Sequence, residues 1–388
     1  MCAVAAARSE EKGNVCAVGR KPNNFPPMVQ SVAGVQGASV VPSLREGIVA
    51  AYRWMLLARV LDEKFASLYR AGKIHGGVYL GRGQEALSAA VGMSLRPGDV
   101  FAPLIRDGAG RLAFGETLVE AARTYLGSVL GPMRGRDGNV HRGRPRDGYL
   151  PMLSHLGAMI SVVNGMLLAR RFQGVAQGVG AACIGEGATS TGAFHEALNQ
   201  AAVERLPLVL VVADNQYAYS THSSRQFACR SLVDRAVGYG VTGSTLDGTD
   251  VAECLAVVGK AVRNARSGGG PQLVVARLLR LCGHGEHDDA SYIDPALKQT
   301  ELGRDCLQVA AERLLADGWA TDADLETWRG ESVARVEAAV NSVQREPTPD
   351  PFQETWCALA TPRLRDGFPA EPSREQMSAS EGSSVPAP

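Results

Sequence analysis

The strongest constraint on the fold comes from two short, continuously apolar segments that flank one helical segment. The first covers residues 180–184, the second covers residues 208–213, and helical spacing runs from about 191 to 204 between them. A strand, a helix and a second strand within about 35 residues form a βαβ crossover, which joins parallel strands. Strands without polar alternation are typical of a parallel sheet that is buried on both faces. The sequence therefore predicts an α/β fold, a doubly wound and mostly parallel sheet with helices on both faces.

The rest of the chain extends this pattern. Apolar spacing predicts helices at about 43–70, 85–95, 116–130, 158–172, 251–265, 296–317 and 322–343, and a strand at 272–280. A loop is expected at 103–110. We expect one domain at 43–345, preceded by a flexible N-terminal arm at 1–42. A C-terminal extension at 346–388 follows, and its tail, which is rich in Pro, Ser and Glu, is expected to be disordered.

Charge and composition exclude several classes of protein. The 388 residues include 40 Lys and Arg against 40 Asp and Glu, so the formal net charge is zero. Nucleic-acid and polybasic membrane contacts are not expected, because both need an excess of positive charge. No apolar stretch reaches the roughly 18 residues that a membrane span needs. The eight cysteines lack the spacing of a zinc site, so we interpret them as thiols in a reducing compartment and expect a cytoplasmic protein.

Glycine indicates where the backbone approaches a ligand. The excess among the 44 glycines is concentrated at 72–83, 131–148 and 178–192, and glycine allows close approach of the backbone to a bound group. Glu186 directly follows the first strand of the crossover and Asn215 follows the second. Ligands bind beyond the carboxyl ends of parallel strands, so we expect these side chains to meet. Carboxylate and amide oxygens are suitable ligands for Mg²⁺. They predict a phosphate-bearing cofactor that is held through magnesium. The alternative is that the Gly and Glu residues after the first strand serve only the geometry of the turn.

Other nucleotide-binding patterns are absent or incomplete. The sequence has no GxxxxGK[ST], and the glycines at 178 and 185 each begin a GxGxxG that lacks its last glycine. The second pattern also has an acidic residue where a pyrophosphate would approach. A nicotinamide cofactor is therefore disfavoured.

Six ordered segments resemble one family. The run GEGATSTGAFHEALNQAAVERLPLVLVVADNQYAYST at 185–221 is similar to the thiamine diphosphate motif in the alpha subunits of 2-oxo acid dehydrogenases. The segments GGVYLGRGQEA, LRPGDV, GRDGNVH, SHLGAMISVVNGMLLARR and GHGEHDD follow the family's order and spacing. The family comprises the decarboxylating components of the pyruvate, branched-chain 2-oxo acid and acetoin dehydrogenase complexes. The resemblance covers about residues 44–345, and it implies a thiamine diphosphate-binding fold with thiamine diphosphate and magnesium as cofactors.

The resemblance also implies individual roles. The implied metal ligands are Glu186, Asn215 and the backbone carbonyl of Tyr217. The implied cofactor contacts are Gly187, Ala188 and Arg106 for the diphosphate, and Ser154 and Leu156 for the aminopyrimidine. The implied catalytic residues are His141 and His284, and His284 lies on a loop near the substrate and the thiazolium carbon. Simpler interpretations remain open for three of them. Arg106 could form a surface ion pair with Asp107, His284 could lie in a solvated loop, and His141 could belong to a flexible basic lid.

The chain departs from the family pattern at three positions. Glu186 replaces the metal-binding Asp, Gly108 replaces a His after Arg-Asp, and Gly285 replaces a serine that is a regulatory phosphorylation site in mitochondrial relatives. The longer carboxylate affects metal affinity because magnesium demands a narrow geometry. Control by phosphorylation is not expected at residue 285.

The family resemblance implies partners as well. A beta subunit with a pyrimidine-binding domain would complete the active site in an α2β2 heterotetramer, and a lipoyl-bearing acyltransferase would accept the acyl group from a 2-oxo acid. Two alternatives remain: a thiamine enzyme with another acceptor, in acetoin or acyloin chemistry, and a catalytically degenerate scaffold subunit.

Overall fold

The computed structural model describes residues 43–137, 140–175, 178–350 and 352–353. The expected N-terminal arm and most of the expected C-terminal tail lie outside the described residues.

A parallel sheet forms the centre of the fold. The strands are β1 (Val100–Ala102), β2 (Gly180–Gly185), β3 (Leu208–Asp214), β4 (Tyr217–Ala218), β5 (Thr221–His222), β6 (Thr242–Asp247) and β7 (Gln272–Arg277). Five of them form one sheet in the order β1-β2-β3-β7-β6, and every neighbouring pair in it is parallel. The strands β4 and β5 form a separate antiparallel hairpin directly after β3. The predicted crossover is therefore confirmed, because β2 and β3 are parallel neighbours joined by the helix Gly192–Val203.

Helices cover both faces of this sheet. They are α1 (Leu44–Arg70), α2 (Glu85–Ser94), α3 (Gly108–Phe114), α4 (Leu118–Tyr125), α5 (Ala158–Phe172), α6 (Gly192–Val203), α7 (Arg235–Tyr239), α8 (Val251–Arg266), α9 (Pro295–Lys298), α10 (Cys306–Ala316) and α11 (Asp322–Val343). Alternate residues of β3 pack into two different apolar layers. Val209 and Val211 join the layer that contains α1, α2 and α8, whereas Leu208 and Leu210 join the layer that contains α5 and α6. Both faces of the sheet are buried, as its continuous apolar strands predicted.

Local signals fix where helices begin. The Ser43 hydroxyl accepts a hydrogen bond from the backbone N–H of Glu46, and the Glu46 carboxylate accepts one from the Ser43 backbone in return. This capping box satisfies two N–H groups that a helix leaves free at its N-terminus.

No helix in the described part of the chain is long and apolar enough to cross a membrane.

Several elements differ from the sequence-based prediction. The sequence does not predict β1 or β6, since β1 has three residues and most of β6 is polar or exposed. The loop expected at 103–110 is wrong at its end, where α3 begins at Gly108. This helix contacts α2 backbone to backbone, and a Cβ at Gly92 would lie 2.3 Å from the carbonyl oxygen of Gly110. Such glycines favour a loop by local preference but allow close helix packing here.

Other predicted boundaries are also wrong. The helix expected at 116–130 ends at residue 125, and the strand expected at 272–280 ends at residue 277. The helix expected at 296–317 is split into α9 and α10. Asp305 ends the break because its carboxylate accepts the hydrogen bond that caps the start of α10.

Candidate functional site

Glu186 and Asn215 meet at the carboxyl edge of the sheet. Strands β2 and β3 are paired up to Gly185, which lies opposite Ala213 near the end of β3, so the residues that follow the two strands lie at the same edge of the sheet. The backbone N–H of Asn215 donates to Oε2 of Glu186 at 3.3 Å. Glu186 is only 1% exposed and Asn215 only 5%. The structure thus brings together the two side chains that the sequence placed at this edge.

Asn215 is oriented by its neighbours. Its Oδ1 accepts from the backbone N–H of Tyr217 at 3.3 Å, and its Nδ2 donates to Oε1 of Gln84 at 3.4 Å. The Tyr217 carbonyl accepts from Nη1 of Arg280 at 3.1 Å. A carbonyl oxygen has two lone pairs, so this oxygen keeps one for another partner. One carboxylate, one amide oxygen and one backbone carbonyl form a set of hard oxygen donors that suits Mg²⁺.

No group of three or more His, Cys, Asp or Glu that could hold a metal occurs among the described residues. This finding is compatible with the site described here, because only one of its three oxygen donors is a carboxylate.

The electrostatics of Glu186 favour a cation. Burial, together with the nearby Asp214 carboxylate, raises the pKa of this carboxyl to about 7, although the hydrogen bond from Gln226 opposes the shift. Burial disfavours an ionised carboxyl that has no counter-charge. A bound cation would supply that counter-charge.

The surroundings of this pair also fit a bound ligand. Two buried amide atoms, Nε2 of Gln84 and Oε1 of Gln226, have no hydrogen-bond partner among the described residues. Gly187 lies tightly against the β4–β5 hairpin, since a Cβ there would stand 2.6 Å from Cβ of Ala218. Buried polar groups are normally satisfied, so a ligand with both acceptors and donors matches these residues.

Arg106 is buried rather than at the surface. It donates from Nη1 to the carbonyl of Leu80 at 2.9 Å and from Nη2 to the carbonyl of His284 at 2.6 Å. The carboxylate of Asp107 instead accepts from the backbone N–H of Leu104 at 2.7 Å. The interpretation of a surface ion pair with Asp107 is therefore wrong. Burial lowers the pKa of the Arg106 guanidinium, and no salt bridge to it occurs among the described residues.

His284 lies between two tyrosine rings. Its ring centroid is 5.5 Å from that of Tyr79 and 4.4 Å from that of Tyr219. Its backbone N–H donates to Asp288 at 2.6 Å. Burial, together with the charges of Arg106 and Arg280, lowers the pKa of His284 to about 4. His284 is therefore a packed, neutral imidazole at pH 7, which disagrees with the interpretation of a merely solvated loop.

The structure also brings His141 and Ser154 together. Nδ1 of His141 lies 2.6 Å from a carboxylate oxygen of Asp137, and Nε2 lies 3.2 Å from the Ser154 hydroxyl. A carboxylate on Nδ1 fixes the tautomer and the orientation of an imidazole. Arg142, one of the arginines around His141, is buried and paired with Glu116, so that part of the segment is packed and not a free basic lid.

Ser154 and Leu156 are both exposed. The Leu156 carbonyl lies 3.3 Å from the Thr191 hydroxyl, and the same hydroxyl lies 2.8 Å from the Ala188 carbonyl. Thr191 is the N-cap of α6. The segment that carries Ser154 and Leu156 is thereby joined to the turn that carries Gly187 and Ala188.

The departures at residues 108 and 285 have structural consequences. A Cβ at Gly108 would make ordinary contacts with Ala58 and Asp62, at 3.8 and 3.9 Å. A Cβ at Gly285 would lie 2.7 Å from the ring of His287. A serine at residue 285 would therefore displace His287.

The sequence-based prediction missed four residues of this site: Gln84, Gln226, Arg280 and Tyr219. Gln84 lies within the quoted segment GGVYLGRGQEA, but nothing in the sequence links it to Asn215. The predicted strand ends at Arg280, whereas this residue lies beyond β7, is 1% exposed and donates to the carbonyls of Tyr217 and Tyr219. No local pattern identifies Tyr219, whose φ is +53°, or Gln226.

Comparison with known proteins places this chain in a family. A sequence model of the family described as dehydrogenase E1 component matches residues 52–352. The alpha subunit of acetoin:2,6-dichlorophenolindophenol oxidoreductase from Cupriavidus necator is 32% identical over 317 residues, which cover 81% of this chain and 95% of that protein. The pyruvate dehydrogenase E1 component subunit alpha from Rhizobium meliloti is 30% identical over 81% of this chain and 90% of its own length. The 2-oxoisovalerate dehydrogenase subunit alpha from Bacillus subtilis is 33% identical over 76% of this chain and 90% of its own length. The chain belongs to the dehydrogenase E1 component family.

Proposed function

We propose that this chain is the alpha subunit of a 2-oxo acid dehydrogenase that depends on thiamine diphosphate and magnesium. The reaction would be oxidative decarboxylation of a 2-oxo acid, with transfer of the acyl group to a lipoyl-bearing acyltransferase. The observation that carries the proposal is the buried pair of Glu186 and Asn215 at the carboxyl edge of the sheet, in a chain of the dehydrogenase E1 component family. Pyruvate, branched-chain 2-oxo acids and acetoin all remain candidate substrates, since relatives named for each match this chain.

The side chains of this site divide into those that hold the cofactor and those that handle protons. Glu186, Asn215 and the Tyr217 carbonyl would hold magnesium; Gly187, Ala188 and Arg106 would face the diphosphate; Ser154 and Leu156 would face the aminopyrimidine. When bound, thiamine diphosphate supplies the nucleophilic carbon and the electron sink that decarboxylation of a 2-oxo acid needs. The protein would bind, orient and exclude water around this group.

Two histidines would act on protons. The ring of His284 is neutral at pH 7 because its pKa lies near 4, so it can accept a hydrogen bond from a substrate group, or donate one, without carrying charge. The ring of His141 has Asp137 on one nitrogen and Ser154 on the other. That arrangement fixes the ring so that its Nε2 is presented toward Ser154.

We propose a beta subunit as the partner, because the relatives are themselves named as alpha subunits. An α2β2 heterotetramer and a place in the cytoplasm remain predictions. Acetoin cleavage with another acceptor is the second candidate function. It is favoured by the 32% identity to a protein named as an acetoin oxidoreductase subunit.

Cofactor binding tests the proposal first. Calorimetric titration of the full chain with thiamine diphosphate, with and without MgCl2, should give binding that requires the metal. Glu186→Ala should abolish this binding, because it removes the only carboxylate of the oxygen set. Glu326→Gln, on an exposed position of α11, is the control and should bind as the unaltered chain does.

Product analysis then separates the candidate functions. With the beta subunit added, acylation of a lipoyl domain supports the dehydrogenase, whereas acetoin consumption with a dye acceptor supports the second function. Absence of cofactor binding, even with the beta subunit and MgCl2, would refute both and favour a scaffold subunit.

A further inference from the structure

Two glutamines flank the candidate metal ligands, and each has one amide atom without a partner. Four buried side-chain atoms have no hydrogen-bond partner among the described residues, and two of them are Nε2 of Gln84 and Oε1 of Gln226. Gln84 is bonded to Asn215 through its other amide atom, and Gln226 is bonded to Glu186 in the same way. The unpaired atoms are of opposite kinds, since one is a donor and the other is an acceptor.

Gln84 orients the amide of Asn215. It is the N-cap residue of α2 and only 2% exposed. Because its Oε1 accepts from Nδ2 of Asn215 at 3.4 Å, the Asn215 amide turns its nitrogen toward Gln84 and leaves its oxygen for other partners. The amide nitrogen of Gln84 then remains as a buried donor beside Asn215. A buried donor with no partner matches an anionic oxygen.

Gln226 orients the carboxylate of Glu186. It directly follows the short turn Ser223–Arg225, and its Nε2 donates to Oε1 of Glu186 at 3.2 Å and to the Thr221 carbonyl at 2.8 Å. Its own Oε1 lies over the turn after β2, since a Cβ at Gly187 would be 3.4 Å from it. A buried acceptor at this place matches the hydrogen of a water molecule on a cation.

We propose that Gln84 and Gln226 are positioning residues of the cofactor site, in which the Gln84 amide donates to the diphosphate and the Gln226 amide oxygen accepts from a magnesium-bound water. This proposal rests on the proposed function of the same site. The physical reason is complementarity: an anion needs donors, whereas a hydrated cation presents donors. Each glutamine would satisfy one of these demands while it holds one metal ligand in place.

The experiment uses the full chain and consists of two binding titrations, each measured by calorimetry. Thiamine diphosphate is titrated at saturating MgCl2, and MgCl2 is titrated at a fixed concentration of thiamine diphosphate. Gln84→Glu keeps an oxygen for Asn215 but replaces the unpaired donor with an anionic oxygen. Gln226→Met keeps the length of the side chain and removes both amide atoms.

We expect the two variants to fail in different titrations. Gln84→Glu should weaken thiamine diphosphate binding by about 10- to 100-fold, because outer partners of a metal site typically matter by that factor. Gln226→Met should raise the MgCl2 concentration for half-saturation by about the same factor. The control is Asn164→Leu, because Asn164 is another buried amide with an unpaired oxygen but bonds to the Ala197 carbonyl between α5 and α6. It should change thermal stability and leave both titrations as they are.

The outcomes separate this inference from the proposed function. If the unaltered chain binds the cofactor and both variants bind it equally well, the two glutamines have no positioning role and the proposed function stands. If the unaltered chain shows no binding even with the beta subunit, the proposed function fails. Circular dichroism identifies a variant that does not fold, and Gln84→Met or Gln226→Leu then replaces it at the same position. Both replacements remove the amide atom in question, so unchanged binding would again overturn the inference.

Discussion

Replacement of Asp62 by asparagine tests the electrostatics of the loop that precedes α2. Asp62 lies on α1 and is partly buried, and its Oδ2 accepts from the backbone N–H of Gly81 at 2.7 Å. Burial, together with the Glu85 carboxylate, raises the pKa of this carboxyl to about 7, although the hydrogen bond from Gly81 opposes the shift. The native state therefore holds a proton at Asp62 that the unfolded chain releases at a lower pH.

The direction of the pH effect follows from this difference. The stability that protonated Asp62 contributes is fully present below the ordinary pKa of 3.8 and is lost as the pH rises to about 7. The rise of the pKa from 3.8 to about 7 corresponds to a loss of roughly 4 kcal/mol at about 1.4 kcal/mol for each tenfold change in proton affinity, and this is an upper limit because the side chain is only partly buried. An asparagine side chain at this position would keep an oxygen for Gly81 and carry no charge at any pH.

We expect the free energy of unfolding of the Asp62→Asn variant to increase, relative to that of the unaltered chain, as the pH rises. Between pH 5 and pH 8 the gain should grow by up to roughly 2.5 kcal/mol, because most of the titration lies in that window. Urea unfolding at pH 5, 6, 7 and 8 measures it. Glu63→Gln, at the next and exposed position of α1, is the control and should show no such growth. A constant difference between Asp62→Asn and the unaltered chain at all four pH values would refute the reasoning.

Three further predictions concern the site itself. Arg106→Lys should raise the rate of hydrogen exchange in residues 283–289 at least about tenfold, because lysine cannot donate to the carbonyls of both Leu80 and His284 as the guanidinium does. The factor follows from the roughly 1.5–3 kcal/mol that a charge-assisted hydrogen bond contributes. Unchanged exchange, measured by mass spectrometry, would contradict this. Gly187→Ala should lower stability by about 1–3 kcal/mol, because its Cβ would lie 2.6 Å from that of Ala218; thermal unfolding measures it, and Ala218→Gly in the same chain should restore the loss. His284 should titrate near pH 4 in NMR spectra, so a midpoint near the ordinary value of about 6.5 would show that the ring is not buried as described.

The sequence predicted the centre of the fold and one edge of the site because both are encoded locally. Each strand of the crossover is a run of apolar residues, and Glu186 and Asn215 occupy the positions that directly follow the two strands. Strand β6 escapes the sequence-based prediction because it is partly exposed and has the sequence TGSTLD, which carries no strong strand pattern. Its pairing with β7 depends on long-range contacts rather than on local preference.

The side chains that complete the site depend on packing between distant segments. Gln84 and Asn215 are separated by 131 positions, and Arg106 and His284 by 178. A glutamine or an arginine in a loop has no local signal that distinguishes a surface role from a buried one. The burial of Arg106 follows only when the loop after β1 and the loop at 283–289 are placed together by the sheet.

The buried charges of the site favour the same kind of ligand that its oxygen donors favour. Arg106 and Arg280 are 4% and 1% exposed, and both donate to backbone carbonyls, with no salt bridge to either among the described residues. Glu186 is 1% exposed and likewise has no cationic partner there. Burial of an unpaired charge is unfavourable, and the protein holds both signs in one region without joining them. A ligand that combines an anionic diphosphate with a divalent cation would supply each sign with its partner, whereas a ligand of one sign would leave the other uncompensated.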